Sequence, residues 1–542
     1  MVTRRKFIQT AGLCVSLAAE AGSTKNDLTN FTVLITADLH AQLFTHDEFF
    51  WENEKAVFKK RGGLDVLKGL VNQVRKNERN VILIDAGDYF HGHAIATKTE
   101  GEALIPLINA FQYDLVLPGN WEVVYRKARM VEVLDRIKAK KICANMWHKN
   151  LNGDRGDLIY QPYWIKELEG FRIGFLGYTD HLVPKRQPPA FSSGIAYTHA
   201  TTTLAENIEL LRKKEHCDMV ILVTHMGLAQ QLGLANHPDV AGADLIIGAD
   251  THERVRVPIE GKYCKVIECG AFGSFAGKLS VKLKRGAKPE FNYELLDTDP
   301  KQYFPDPEVT RLIGNLAAPF KKEINEVIGH TSTPLLRYFV LETPIDNLIT
   351  DALRWKFNTD VALSNGFRFC QPLAVEEGAT TPITKEFLWN MLPLDSVARK
   401  AEVTGAQIKK WLEQELENAF ATDPSKRFGG WLVRFSGMEI NFTAGRPMNS
   451  RVNRVTIGGK PLEEERKYSI VACEREGDPI DTLCRIEHVS SPVSMGQGLH
   501  EVIIEYLGVH SPISPTIEGR ATATDLPANL LTQLQGTSYV FR

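Results

Sequence analysis

The 542-residue chain has no apolar run in its body long enough to cross a bilayer. Stretches such as Val81-Ile82-Leu83-Ile84 are strand-sized, against the roughly 20 residues a span requires. It also lacks an excess of charge of either sign: 64 Lys and Arg stand against 66 Asp and Glu, a net −2. That removes the basic field a nucleic-acid partner would need. No C-x-x-C pair occurs among the 8 cysteines, so neither a zinc knuckle nor a disulfide framework can be read. Internal repeats and low-complexity tracts are absent too, which excludes solenoid and fibrous architectures. What remains, 43% hydrophobic and 24% charged residues, is ordinary globular usage with length for two to four domains.

The amino terminus stands apart. Thr3-Arg4-Arg5-Lys6-Phe7-Ile8, followed by the weakly apolar Ala11–Ala19, resembles a bacterial twin-arginine export signal. Ala19-Glu20-Ala21 is a small-x-small cleavage site, so residues 1–21 are expected to be removed and the mature protein to be periplasmic. Cys14 follows Leu13 where a lipidation site wants a small residue, which argues against a lipid anchor. Seven cysteines then remain, an odd number that leaves at least one thiol without an intramolecular partner.

From Phe31 to about Lys284, short apolar runs alternate with helical patterns: Phe31–Ala37, Val81–Ala86, Asp114–Leu117, Lys141–Ala144, Phe171–Gly177, Met219–Val223, Asp244–Gly248 and Cys264–Cys269. Strands separated by helices predict an α/β domain, set at residues 28–300. Residues 301–328 follow as a linker. Leu312, Leu316, Phe320, Ile324 and Val327 lie at helical spacing there, and Pro319 kinks or divides the helix. A second α/β domain is expected at 329–525, with a helix over Thr404–Phe420 and strands at Val452–Ile457 and Lys467–Ala472. The cleft between the two domains is the default binding site.

The chemistry-bearing residues fall at strand ends. Asp38-Leu39-His40 follows the first strand, Asp85-Ala86-Gly87-Asp88 the second and Gly119-Asn120-Trp121-Glu122 the third, with Thr224-His225 and Asp250-Thr251-His252 after later ones. Carboxyl ends of strands in an α/β sheet share one edge, so residues far apart in sequence converge there. Such a set can hold two divalent cations about 3.5–4 Å apart, the arrangement that activates water and clamps an oxyanion.

The order D-x-H, G-D, G-N-x-E, H, x-x-H, followed by a second domain, resembles the calcineurin-like metallophosphoesterases and within them the 5′-nucleotidase group. The resemblance implies an N-terminal four-layer α/β/β/α metallophosphoesterase domain joined to a C-terminal 5′-nucleotidase-type α/β domain. It implies that Asp38, His40, Asp88 and His252 hold one metal, and Asp88, Asn120, His225 and Asp250 a second, with Asp88 bridging. In the second domain Glu342-Thr343-Pro344-Ile345-Asp346-Asn347 and Glu402-Val403-Thr404-Gly405 look like the family's elements. Ser364-Asn365-Gly366-Phe367-Arg368 resembles its substrate segment, with Asn365 and Arg368 contacting substrate and Arg368 binding its oxyanion. Trp431 sits where such enzymes place an aromatic that stacks on substrate.

Two departures bear on chemistry. Nucleotidases carry a histidine after the Asn and an aspartate three residues on, which protonate the leaving alkoxide; here Trp121 and Val124 occupy those places. An indole cannot deliver a proton, whereas a thiolate, of pKa near 8.5, leaves without one. Trp121 therefore points to cleavage at sulfur and is similar to a feature of the thiosulfohydrolase branch of the Sox sulfur-oxidation system. Asp250 stands where the family has the first histidine of H-x-H, an extra carboxylate that favours manganese over zinc. The expected function is thus an exported two-metal hydrolase acting on a sulfonate or phosphoryl centre with a thiolate-type leaving group. Its partner would be a sulfur-carrier protein or a small phosphate or sulfonate ester. A 5′-nucleotidase or general phosphoesterase with Tyr125 as substitute acid, and a degenerate binding protein, stand as alternatives.

Overall fold

The structure, a computed structural model, describes residues 27–541 apart from 367, 533, 535, 536 and 538. The expected export signal at 1–21 lies outside them. The amino-terminal domain is built on two six-stranded sheets. In the first, Leu28–Thr36 pairs parallel with Val81–Asp85 and antiparallel with Phe275–Lys284. In the second, Met219–His225 lies parallel between Phe171–Thr179 and Leu245–Gly248, and Lys265–Glu268 continues that side.

Strand alternation produces the layers. Along Met219–His225, Ile221 and Val223 enter the core shared with the first sheet, whereas Val220 and Leu222 face outward to Leu228 and Leu232 of the helix Leu228–Ala235. On the far side of the first sheet the helices Leu64–Asn77 and Leu104–Phe111 cover the same core through Leu67, Leu70, Leu104 and Leu107. The result is helix, sheet, sheet, helix. Each fully buried aliphatic side chain contributes about 1.5–3 kcal/mol to holding those layers.

Several strands differ from the sequence reading. Met219–His225 runs two residues past Val223, making His225 itself the end of the strand. The hairpin Thr45–Glu52/Lys55–Gly62 is absent from that reading, because its two-residue turn is Asn53-Glu54, both at positive φ (50° and 60°), with no glycine to announce it. The antiparallel pair Phe275–Lys284/Glu290–Asp297 was likewise not singled out.

The linker forms two helices, Pro307–Ala317 and Lys321–Ile324, with Pro319 between them. Asp306 caps the first by accepting from the amides of Glu308 and Val309. In the second domain a five-stranded sheet runs Arg434–Ser436, Val361–Ser364, Lys467–Cys473, Val397–Thr404, Ser490–Gly498. The helices Pro344–Phe357 and Leu499–His510 join one core on it, and Gly405–Phe420 joins another. The Glu342 carboxylate accepts from the amides of Glu518, Gly519 and Arg520, pinning the chain before that domain's first helix.

Beyond residue 525 the chain returns to the first domain. Leu531, Leu534, Tyr539 and Phe541 pack with Phe49, Tyr338 and Phe339 in the outer core of the second sheet. Among the described residues all seven cysteines are unpaired, and no helix is long and apolar enough to cross a membrane.

Candidate metal centre

The carboxyl edges of the two sheets meet, and there the loops after Thr36, Asp85, Val116, His225 and Gly248 converge. Two tight ligand groups result: Asp38, His40 and His252; and Asp38, Asp88 and His225. His40 Nε2 and His252 Nε2 face each other at 3.0 Å. His225 Nε2 is 3.2 Å from Asp88 Oδ2 and 3.8 Å from Asp38 Oδ1, and His40 Nε2 is 3.7 Å from Asp88 Oδ2. Five of the seven predicted ligands, Asp38, His40, Asp88, Asp250 and His252, hold backbone φ between 46° and 95°. Non-glycine residues adopt this left-handed region at a cost of order 1–3 kcal/mol each, and such strain gathers at functional sites.

The glycines explain the close approach. A Cβ on Gly119 would lie 2.3 Å from Asp88 Oδ1, and one on Gly87 2.6 Å from the Gly119 amide nitrogen. Glu122 ties the same loops together. Its carboxylate accepts from the amides of Gly119 (2.5 Å), Tyr89 (2.7 Å) and Asp88 (3.1 Å). Asp85 accepts from Thr36 Oγ1 and the Gly87 amide. Glu122 is therefore scaffold, a role the G-N-x-E spacing does not disclose.

The electrostatics are those of a site short of positive charge. Burial, with Asp88, Glu268 and Asp250 nearby, raises the Asp38 carboxyl well above its ordinary range. Burial pushes Glu122 up to about 8 and Asp85 to about 7. It lowers His252 to about 4, and together with neighbouring imidazoles it lowers His40 well below normal. His225 goes the other way: burial opposes its cation, but Asp88, Asp38 and Asp250 outweigh that. A bound cation reverses this logic.

The residues fit metal. His225 Nδ1 donates to the Ala86 carbonyl (2.7 Å), the outer-shell bond that aims Nε2 as a ligand. Nε2 itself and Asn120 Oδ1 are buried with no hydrogen-bond partner. The Asn120 Nδ2 group donates to Asp250 Oδ1 at 2.7 Å, leaving the Asn120 Oδ1 lone pairs free for a metal. Asp250 is placed differently from the other six. Its second oxygen is taken by Arg186 Nη1 at 2.7 Å, its nearer oxygen stands 4.0 Å from His225 Nε2, and it belongs to neither tight group.

The cleft between the domains, about 210 Å³, is lined by Asp88, Asn120, Trp121, Asp250 and His252 on one wall and by Asn365, Arg368 and Trp431 on the other. Trp121 lies on His91, ring centroids 3.8 Å apart and planes 3° from parallel, while its amide donates to Asp88 Oδ1. Trp431 packs where a Cβ on Gly366 would touch its ring at 3.0 Å and the Leu432 carbonyl at 1.9 Å. Asn365 Oδ1 accepts from Arg485 at 2.8 Å.

Arg368 borders the cleft, but its donors go to protein: Nη1 to Glu253 Oε1 at 2.5 Å, Nε to the Tyr338 carbonyl at 3.1 Å, and Nη2 to the Leu531 carbonyl. Its guanidinium also lies over the Phe541 ring. The arginine expected to clamp an oxyanion is thus held in a buried ion pair. The sequence reading passed over Arg186, a lone arginine in Val183-Pro184-Lys185-Arg186, and no spacing signal could have found it.

The fold and this centre are those of a two-domain chain that joins a calcineurin-like phosphoesterase domain to a 5′-nucleotidase C-terminal domain. Residues 31–254 match the calcineurin-like phosphoesterase family and residues 327–474 the 5′-nucleotidase C-terminal domain. The chain is 25% identical, over 93% of its length, to the trifunctional nucleotide phosphoesterase YfkN of Bacillus subtilis, of which it spans only 35%. It is 22% identical to the 5′-nucleotidase of Vibrio parahaemolyticus over 94% of this chain and 96% of that one. Among solved structures it is similar to the sulfate thiohydrolase SoxB of Thermus thermophilus in complex with glycerol (19% identity, TM-score 0.81, 93% and 98% coverage). It is also similar to a 5′-nucleotidase precursor of the same organism (21%, TM-score 0.78, 92% and 100%). The family frame brings two divalent metals with it, and the two ligand groups are their candidate seats.

Proposed function

We propose that this protein hydrolyses a sulfonate or phosphoryl ester whose leaving group departs as a thiolate. Trp121 carries the reading. Its ring occupies the place beside Asn120 and covers the buried His91, whose imidazole burial holds neutral with a pKa of about 3. Val124 is buried three residues on. Tyr125, the one substitute acid nearby, donates its hydroxyl to the Phe90 carbonyl, and burial raises its pKa further. No group on this wall is suited to protonate an alkoxide at neutral pH, help typically worth 10²–10⁴-fold.

Divalent cations held by Asp38, His40, Asp88, Asn120, His225 and His252 would supply Lewis-acid stabilisation and a water acidified to near neutral pKa. The manganese preference expected from an Asp250 ligand loses that basis, because Arg186 and Asn120 engage both Asp250 oxygens and three of the six remaining donors are imidazoles, which suit zinc. The protein's own part is to orient these ligands through Glu122 and Ala86, to keep the leaving-group side free of proton donors, and to offer Asn365 and Trp431 to the rest of the substrate. Export through the twin-arginine signal, with a sulfur-carrier protein as substrate, belongs to the same reading. The fold does not separate it from a nucleotidase, since both kinds of enzyme share the fold; Trp121 is what supports the thiolate reading.

The test is kcat/KM on an S-sulfonate or phosphorothiolate against an alkyl phosphate of equal size. The thiolate substrate should be far faster, and Trp121→His with Val124→Asp should narrow the gap by raising only the alkyl phosphate, by up to about 10²–10⁴-fold. Turnover of AMP at roughly 1–10³ per second, with thiolate substrates ignored, establishes the nucleotidase instead.

A further inference from the structure

Arg186 ends the short helix Val183–Arg186 after the strand Phe171–Thr179 and borders the cleft beside Asp88, Asn120 and Trp121. Its side chain is only 10% exposed. Nη1 bridges Asp250 Oδ2 at 2.7 Å and Asp180 Oδ2 at 3.0 Å, and Nε donates across the cleft to the Phe428 carbonyl at 2.8 Å. Asp180 is itself fully buried and its other oxygen accepts from the Leu182 amide, so the guanidinium is fixed from both sides. Nη2 has no hydrogen-bond partner among the described residues, and it is not one of the sealed polar atoms.

We propose that Arg186, not Arg368, binds an oxygen of the tetrahedral sulfonate or phosphoryl group through Nη2, and that Asp250 serves chiefly to hold Arg186 and the Asn120 amide in place. The proposal rests on the hydrolase reading above and deepens it. A guanidinium stays charged at any working pH and presents its donors in a rigid fork matched to oxyanions. All three nitrogens of Arg368 are already engaged, by Glu253 and two carbonyls, whereas Nη2 of Arg186 is not. The electron pair of the breaking bond leaves with the thiolate, and the negative oxygens of the group under attack are what a fixed, preorganised cation stabilises through the transition state. Arg186 is placed for that between the ligand loops and the second domain. Its single positive charge offsets only one of the two carboxylates it bridges.

Arg186→Gln is compared with the unmodified enzyme on whichever substrate the latter turns over best, which separates this test from the leaving-group question. Three quantities are read: kcat/KM, bound metal per chain, and inhibition by inorganic phosphate and sulfate. The expected result is a loss of about 10²–10³ in kcat/KM, metal content unchanged, at least tenfold weaker inhibition by both anions, and partial recovery on adding free guanidinium. Activity lost only in proportion to lost metal, or undiminished inhibition by both anions, overturns it. If Arg186→Gln does not fold, Asp180→Asn frees one side of the guanidinium. Anion inhibition should then weaken several-fold at full metal content, and unchanged inhibition overturns the proposal.

Discussion

At the scale of single residues, the candidate ligands were legible because each stands directly after an apolar run, and strand ends share an edge. Their supports were not. Glu122 looks like one more acidic residue in G-N-x-E, yet it receives three amides from two loops. Glu122→Gln places an amide donor against those amide donors, and stranding a buried hydrogen-bonding group costs about 1–3 kcal/mol. The variant should lose thermal stability and bind metal more weakly, as titration with manganese would measure. Affinity equal to the unmodified protein's would show that the Asp88 loop holds its shape without the carboxylate. Arg368 and Arg186 make the same point in reverse. Motif position suggested the first, while the surrounding acceptors leave a nitrogen unengaged only on the second.

At the scale of elements, the segments Asn365–Gly366 and Trp431–Leu432 are pinned to each other at Gly366, where a Cβ would meet the Leu432 carbonyl at 1.9 Å. Gly366→Ala must push the two apart, carrying Asn365 and Trp431 with them. Overpacking of this kind costs about 1–3 kcal/mol. Taken from substrate binding, that is roughly a five- to hundredfold rise in KM, with kcat and metal content little changed. A KM indistinguishable from the parent's would remove Asn365 and Trp431 from the substrate wall. The expected linker helix becomes two helices split at Pro319, and the hairpin over 45–62 went unread because a glycine-free turn makes its reversal.

At the scale of the whole molecule, buried carboxyls shape the response to pH. Asp85 is pushed up to about 7 and Glu122 and Glu268 to about 8 by burial, against about 4 in an unfolded chain. Because the folded values lie above the unfolded ones, the metal-free fold keeps protons that the unfolded chain has released. The contribution of these three carboxyls to stability is full below about pH 4 and is lost progressively as pH rises through 7 to 8. Metal binding runs the other way, since its ligands must be deprotonated. Chelation should therefore lower Tm by roughly 5–10 °C near pH 8 and by less at pH 6, read from thermal scans with and without chelator. A gap that narrows as pH rises would refute this balance.

Chain order alone settled the α/β class, the two-domain architecture and the residues gathered at the strand ends. Those rest on short-range patterns: hydrophobic periodicity, turn chemistry and position relative to a strand. Three things waited for the folded chain: that both oxygens of Asp250 are already engaged, which arginine keeps a free nitrogen, and that Leu531, Leu534, Tyr539 and Phe541 return to cover the first domain. Each depends on pairs far apart in sequence, Arg186 with Asp250 at 64 residues, Glu253 with Arg368 at 115 and Glu253 with Tyr539 at 286. A charged side chain meets its partner through space, and no local spacing records which of several carboxylates the packing will bring within reach.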